Sequence, residues 1–148
     1  MNYVKRSNIG VLVSCKGEQN EFNLGIRAYI NMLCHRRLAS YEGIIKATKK
    51  MLDIHKLVPI YIDRNMLLFP LSSIRNMDAL YINYYELYKI KKTTNSDVTL
   101  IFYDQSKLNI KMNKMFLSRQ IKRCEDIIQF LNKKSQESVY NYTLSLEF

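Results

Sequence analysis

Val58-Pro59-Ile60-Tyr61-Ile62-Asp63-Arg64-Asn65-Met66-Leu67-Leu68-Phe69 reads as two short apolar strands about a polar turn. Asp63 and Asn65 favour the turn because their side chains hydrogen-bond nearby backbone. So short a connection joins antiparallel neighbours, since parallel strands need a crossover of a dozen residues or more. The frame is therefore an antiparallel sheet. Residues 98–103 and 108–112 read as a second hairpin across Asp104-Gln105-Ser106-Lys107. Residues 9–15 form a β-branched run ended by Lys16-Gly17-Glu18. Residues 80–90 read as the longest strand, carrying Tyr81, Tyr84, Tyr85 and Tyr88, after a loop over 71–78. Residues 22–34 mix Phe22, Leu24, Ile26, Tyr29, Ile30, Met32 and Leu33 without a clean period and read as strand.

Two helices interrupt the strands. Ser40 is a good N-cap, since its oxygen can accept a hydrogen bond from an orphan N–H of the first turn. Glu42 suits the positive end of the helix dipole. Ile44, Ala47 and Met51, with Ile45 and Leu52, then give an apolar stripe, and Lys46, Lys49 and Lys50 fall on the other side. A second helix runs from near Asn113 to about Lys133, with Leu117, Ile121, Cys124, Ile128 and Leu131 at steps of four, three, four and three. Lys133 and Lys134 suit its negative end. The tail, residues 135–148, carries Glu137 and Glu147 without a basic residue and is free to be flexible. The pattern predicts an α+β fold: one domain over residues 1–148, with a largely antiparallel sheet and two principal helices.

Composition agrees. The 148 residues suit a single domain, which buries roughly 70% of its chain's surface at this size. Apolar residues at 47% and charged residues at 24% mark a globular chain. Lys and Arg number 23 against 13 Asp and Glu, a net charge of +10 that favours a polyanionic partner. Near the amino terminus, Lys5-Arg6 precede Ile9-Gly10-Val11-Leu12-Val13-Ser14-Cys15, an arrangement like a secretion signal with a lipobox. Only five residues separate Asn8 from Ser14, too few for a signal's apolar region of about 7–15, so a buried strand fits better. No apolar run reaches membrane-spanning length. Cys15, Cys34 and Cys124 are odd in number and lack C-x-x-C spacing. Neither a zinc site nor a disulfide framework is indicated, and a cytoplasmic protein is expected.

Catalysis finds little support. His35 and His55 have no partner pattern, and Cys34-His35 on a strand would point to opposite faces. Asp53 and Asp63 flank a strand, but a metal-dependent nuclease needs several converging carboxylates. Gly10, Gly17, Gly25 and Gly43 are isolated, so no phosphate-binding glycine loop is present. No enzyme, metal or cofactor is expected. The basic residues say more. Arg36 and Arg37 precede the first helix, whose polar side carries Lys46, Lys49 and Lys50, with Glu42 and Asp53 offsetting part of the field. Arg119, Lys122 and Arg123 lie opposite the second helix's stripe, with Asp126 among them. Residues 107–134 hold eight basic and two acidic residues, a net +6. A phosphate-facing surface and a solvated helix face both give this pattern; two such faces on a +10 chain favour nucleic acid. Tyr81 and Tyr85 share a strand face with Lys89 and Lys91, either as a base-stacking platform or as sheet packing. Phe130 falls far from its helix's stripe, where a subunit contact or the folded-back tail would cover it.

Ser40-Tyr41-Glu42-Gly43 before a basic helix, Val58-Pro59-Ile60, Leu67-Leu68-Phe69-Pro70-Leu71-Ser72-Ser73-Ile74-Arg75 and Tyr81-Ile82-Asn83 together resemble the ComK family of competence transcription factors. Phe116-Leu117-Ser118-Arg119-Gln120-Ile121-Lys122-Arg123 resembles that family's Ser/Phe-x-x-Q-x-x-R region. Order and spacing match from about residue 28 to residue 131, with Ser40, Tyr41, Glu42, Gly43, Phe69, Pro70 and Ser73 as the structural signature. Gly43-Ile44 stands where the family usually has Gly-Arg, removing one charge. The resemblance implies a bacterial activator of DNA-uptake genes that binds A·T-rich promoter duplexes as a homodimer or higher oligomer and helps RNA polymerase engage. On that reading Arg36, Arg37, Lys46, Lys49, Lys50, Arg119, Lys122 and Arg123 are the candidate DNA contacts. An RNA- or single-strand-binding regulator using the tyrosine-rich sheet is the alternative, followed by an adaptor whose basic face meets an acidic protein.

Overall fold

In the computed structural model the backbone is described for residues 1–94 and 96–146, and side chains as far as Lys133. The amino-terminal strand β1, Tyr3–Arg6, is followed by β2, Val11–Cys15, and β3, Glu18–Phe22. Helices α1, Ile26–His35, and α2, Tyr41–Leu52, come next. The hairpin expected from the sequence is β4, Ile60–Asp63, and β5, Met66–Pro70; β6 is Leu80–Asn83. Three further strands, β7 Leu87–Lys92, β8 Asp97–Phe102 and β9 Lys107–Lys111, lead to α3, Lys114–Leu146. The strands form a six-stranded sheet, ordered β3-β2-β1-β6-β5-β4, and a three-stranded sheet, ordered β7-β8-β9. All pairings are antiparallel.

The continuous apolar run of β5 follows from its place inside the larger sheet, because successive side chains on a strand point to opposite faces. Leu68 joins Val4, Val11, Val13, Ile60, Ile62 and Tyr81 beneath Ile26, Ile30, Leu33 and Cys34 of α1. Leu67 and Phe69 face the other way, with Tyr3 and Ile82, and meet Val98, Leu100 and Phe102 of β8 and Leu117, Cys124 and Ile127 of α3. The large sheet thus carries α1 on one face and the small sheet with α3 on the other. Gly10 closes the turn into β2: a Cβ there would sit 2.2 Å from the Phe22 carbonyl oxygen.

Several sequence expectations change. Residues 26–35 are helical, so there are three helices and not two. Ile26, Ile30, Leu33 and Cys34 recur at helical spacing, but Gly25 offers no capping side chain and the first turn holds no acidic residue. Cys34 and His35 accordingly lie on a helix, with Cys34 buried and His35 exposed at its end. On α2, Thr48 takes the buried position expected of Ala47; its hydroxyl donates to the Ile44 carbonyl at 2.8 Å, which makes that burial tolerable.

Residues 80–90 are not one strand. Asn83, 1% exposed, ends β6: its side-chain oxygen accepts from Leu67 N and Tyr85 N, and its amide donates to the Met1 and Asn65 carbonyls. A 3-10 turn, Tyr84–Glu86, then carries the chain into the second sheet. β1 was not anticipated. α3 continues to Leu146, past the expected end at Lys133, so it does not fold back over Phe130. Flexibility of the 135–148 side chains lies outside the described residues.

Candidate nucleic-acid interface

The first basic surface is set by how α2 begins. Ser40 is in extended conformation and its hydroxyl accepts from Gly43 N at 3.0 Å. A Cβ on Gly43 would lie 2.9 Å from that hydroxyl oxygen, so cap and glycine are matched. Glu42 pairs with Arg27 at 2.8 Å, and the Arg27 guanidinium also lies 5.1 Å from the centroid of the Tyr41 ring. Each residue of Ser40-Tyr41-Glu42-Gly43 therefore has a structural partner. Ser40→Ala should cost about 1 kcal/mol, read as a lower urea midpoint with an unchanged slope. Full stability with lost DNA binding would instead make Ser40 a direct contact.

With Ile44, Ile45, Thr48, Met51 and Leu52 turned inward, Lys46, Lys49 and Lys50 are exposed, and none is in an ion pair among the described residues. Arg36 is exposed where α1 ends. Arg37 is exposed but bonded to Asp63, Nε to Oδ2, at 2.8 Å.

α3 differs from its expected arrangement. Leu117, Gln120, Cys124 and Ile127 are buried, whereas Ile121, Ile128 and Leu131 are only half-buried, so the helix is rotated towards Gln120. Gln120 is fully buried. Its amide donates to the Leu57 carbonyl at 2.9 Å and the Pro70 carbonyl at 2.7 Å. Arg123, expected to face outward, folds onto the Lys56 and Leu57 carbonyls and the Gln120 side-chain oxygen. Partial burial, and then nearby Arg119, lower the Arg123 pKa, yet a guanidinium stays charged. Lys122 is paired with Asp126 at 2.7 Å, which raises its pKa. Of the three cations only Arg119 is exposed and without an ion pair among the described residues.

Gln120 and Arg123 brace one wall of a groove of about 670 Å³. Its floor and sides include Tyr41 and Lys49 of α2, the segment from His55 to Val58, Pro70, the segment from Ser72 to Arg75, and Tyr81. Residues far apart in sequence, drawn from the stretches around Tyr41, Val58, Pro70 and Tyr81 that carry the family likeness, thus line one groove, which the 116–123 stretch braces from behind. Lys49, Lys56 and Arg75 bring positive charge, and no carboxylate is found among the described lining residues. Ser73 organises the loop by accepting from Arg75 N at 3.3 Å, while the Ser72 hydroxyl is buried without a hydrogen-bond partner among the described residues. Burial, and then the neighbouring Tyr41 hydroxyl, push the Tyr81 phenol upward and keep it protonated.

His55, Lys56 and Arg75 are not among the candidate DNA contacts expected from the sequence, because only the fold brings them beside α2. Of the two readings of Tyr81 and Tyr85, the base-stacking platform is not formed, because the two do not share a strand face with Lys89 and Lys91. Tyr81 is 3% exposed in β6, Tyr85 sits in the 3-10 turn, and Lys89 and Lys91 belong to the other sheet. Asp63 is occupied by Arg37 and by the Asn65 backbone.

An α+β domain with uncompensated cations along a groove has the makings of a nucleic-acid-binding regulator. The chain belongs to the ComK protein family, whose model matches residues 10–136. That span extends the likeness into β2 and β3. Membership makes the chain a competence transcription regulator of a transcription-factor family, not an enzyme. Searches of curated proteins and of solved structures give no match.

Proposed function

We propose that this regulator binds A·T-rich promoter duplexes through the α2 face and the groove beside it, with residues 1–148 acting as one domain. The observation that carries this is the convergence of Lys49, Lys56 and Arg75 in a groove whose described lining has no carboxylate. Lys46, Lys50, Arg36 and Arg119 extend the positive surface, and each neutralised phosphate releases condensed counterions. Arg37 and Lys122 contribute by exchanging a carboxylate for a phosphate. Arg123 acts chiefly by holding the groove wall. Such contacts set register without reading sequence. A·T preference then arises from shape, since A-tract minor grooves are narrow, electronegative and attractive to inserted Arg or Lys. A homodimer or higher oligomer that helps RNA polymerase engage is the assembly the family likeness implies.

Competition binding of the full chain to A·T-rich duplex, G·C-rich duplex and single strands tests the reading. Preference for the A·T duplex is expected. Equal affinity for both duplexes at physiological salt would overturn shape readout, and preference for single strands would overturn duplex binding.

A further inference from the structure

We propose that the outer face of the β7–β8–β9 sheet is a second phosphate-binding surface, taking the backbone of duplex DNA. The inference rests on the DNA-binding reading above but uses none of its residues.

The register decides which side chains share the face. Lys89 pairs with Ile101, which pairs with Lys107; Lys91 pairs with Thr99, which pairs with Asn109. Lys111 lies two residues beyond Asn109 and opposite Asp97. Residues directly opposite, or two apart along a strand, point the same way. The other face holds Ile90, Val98, Leu100, Leu108 and Ile110, all turned into the core against α3. Lys89, Lys91, Lys107 and Lys111 are therefore committed to the outer face, and all four are exposed. With strands about 4.8 Å apart and alternate residues about 6.6 Å apart, four ammonium groups fit within a patch on the scale of a few phosphates.

None of the four is in an ion pair among the described residues. Asp97 is the carboxylate on the face, yet despite its register with Lys111 it forms no ion pair, and its Oδ1 is buried without a partner. At the centre, the Thr99 hydroxyl donates to the Asn109 side-chain oxygen at 2.5 Å, so these two polar groups satisfy each other between the lysines. Lysine is a poor strand former, and clustering four around Asp97, which is in no ion pair with any of them, costs self-repulsion that a polyanion relieves. Lysines on β7 and β9 also guard sheet edges against self-association. That second role makes a different prediction.

The test compares the wild-type full chain with the K89Q/K91Q/K107Q/K111Q variant by equilibrium binding to an A·T-rich duplex across salt. If all four contact phosphate, the log–log salt slope should shrink by about 3–4, since each contact contributes about 0.9. Thermal melting should not fall, since the substitutions remove like-charge repulsion from an exposed face. A folded variant that keeps the wild-type slope overturns the surface, as does one that keeps the slope and self-associates in sedimentation, where the lysines would be edge guards only. Should the quadruple variant fail to fold, K91Q/K107Q should still lower the slope by about 2; an unchanged slope overturns the surface. Wild-type binding without salt dependence would overturn the DNA reading itself, an outcome distinct from the others.

Discussion

Gln120→Leu should destabilise the protein by about 1–3 kcal/mol, because the buried Pro70 carbonyl loses its amide donor, while the partly buried Leu57 carbonyl keeps the Arg123 guanidinium. The wild-type amide serves the Leu57 and Pro70 carbonyls at once, and its oxygen receives Arg123 at 3.0 Å. Leu57 and Pro70 both line the groove, so this side chain couples α3 to the proposed site. Gln120→Glu separates hydrogen bonding from volume: it keeps the size and the acceptor for Arg123 but replaces the amide donor with carboxylate oxygens facing two carbonyls. It should be at least as damaging as the leucine change. Urea denaturation of both variants measures this. A loss below about 0.5 kcal/mol, the range of ordinary surface substitutions, would show that the bracket does not hold the wall.

The same bracket shows where sequence reading stops. The four-three spacing of Leu117, Ile121, Cys124, Ile128 and Leu131 located the start of α3 but set its end too early and its buried face too far round, because glutamine is counted as polar by any apolar-stripe argument. Gln120 is inside since the carbonyls of residues far from it in sequence come within reach of its amide. Its partner Arg123 is drawn inward with it. The α2 surface was easier to read, because Ser40, Glu42 and the inward residues Ile44, Ile45, Met51 and Leu52 fix helix start and rotation locally. Both hairpins, 60–70 and 97–111, were legible for the same reason: turn and strands are contiguous.

Where a local signal was missing, the reading failed. α1 starts after Gly25 with neither a capping side chain nor an acidic first turn, and its interleaved Tyr29 and Met32 blurred the stripe of Ile26, Ile30 and Leu33. The break after β6 depends on Asn83 bonding to Met1, Asn65, Leu67 and Tyr85, a network no window of sequence contains. The groove could not have been found at all, since its lysines and arginine become neighbours only through the packing of α2 against the segments on either side of the β4–β5 hairpin.

Lys46, Lys49 and Lys50 provide the most direct test of the central claim that DNA binding is carried by the α2 surface. All three are exposed, none is in an ion pair among the described residues, and their loss leaves the inward face of α2 untouched. The K46Q/K49Q/K50Q variant should therefore melt like wild type. Three lost phosphate contacts should reduce its salt slope by about 2.7 and its duplex affinity by about 100-fold at physiological salt. Because phosphate contacts carry no sequence information, A·T and G·C duplexes should weaken alike. The decisive measurement is the duplex binding constant of wild type and variant across salt. The account predicts parallel losses on both duplexes with the shallower slope, and a folded variant with wild-type affinity and slope would contradict it.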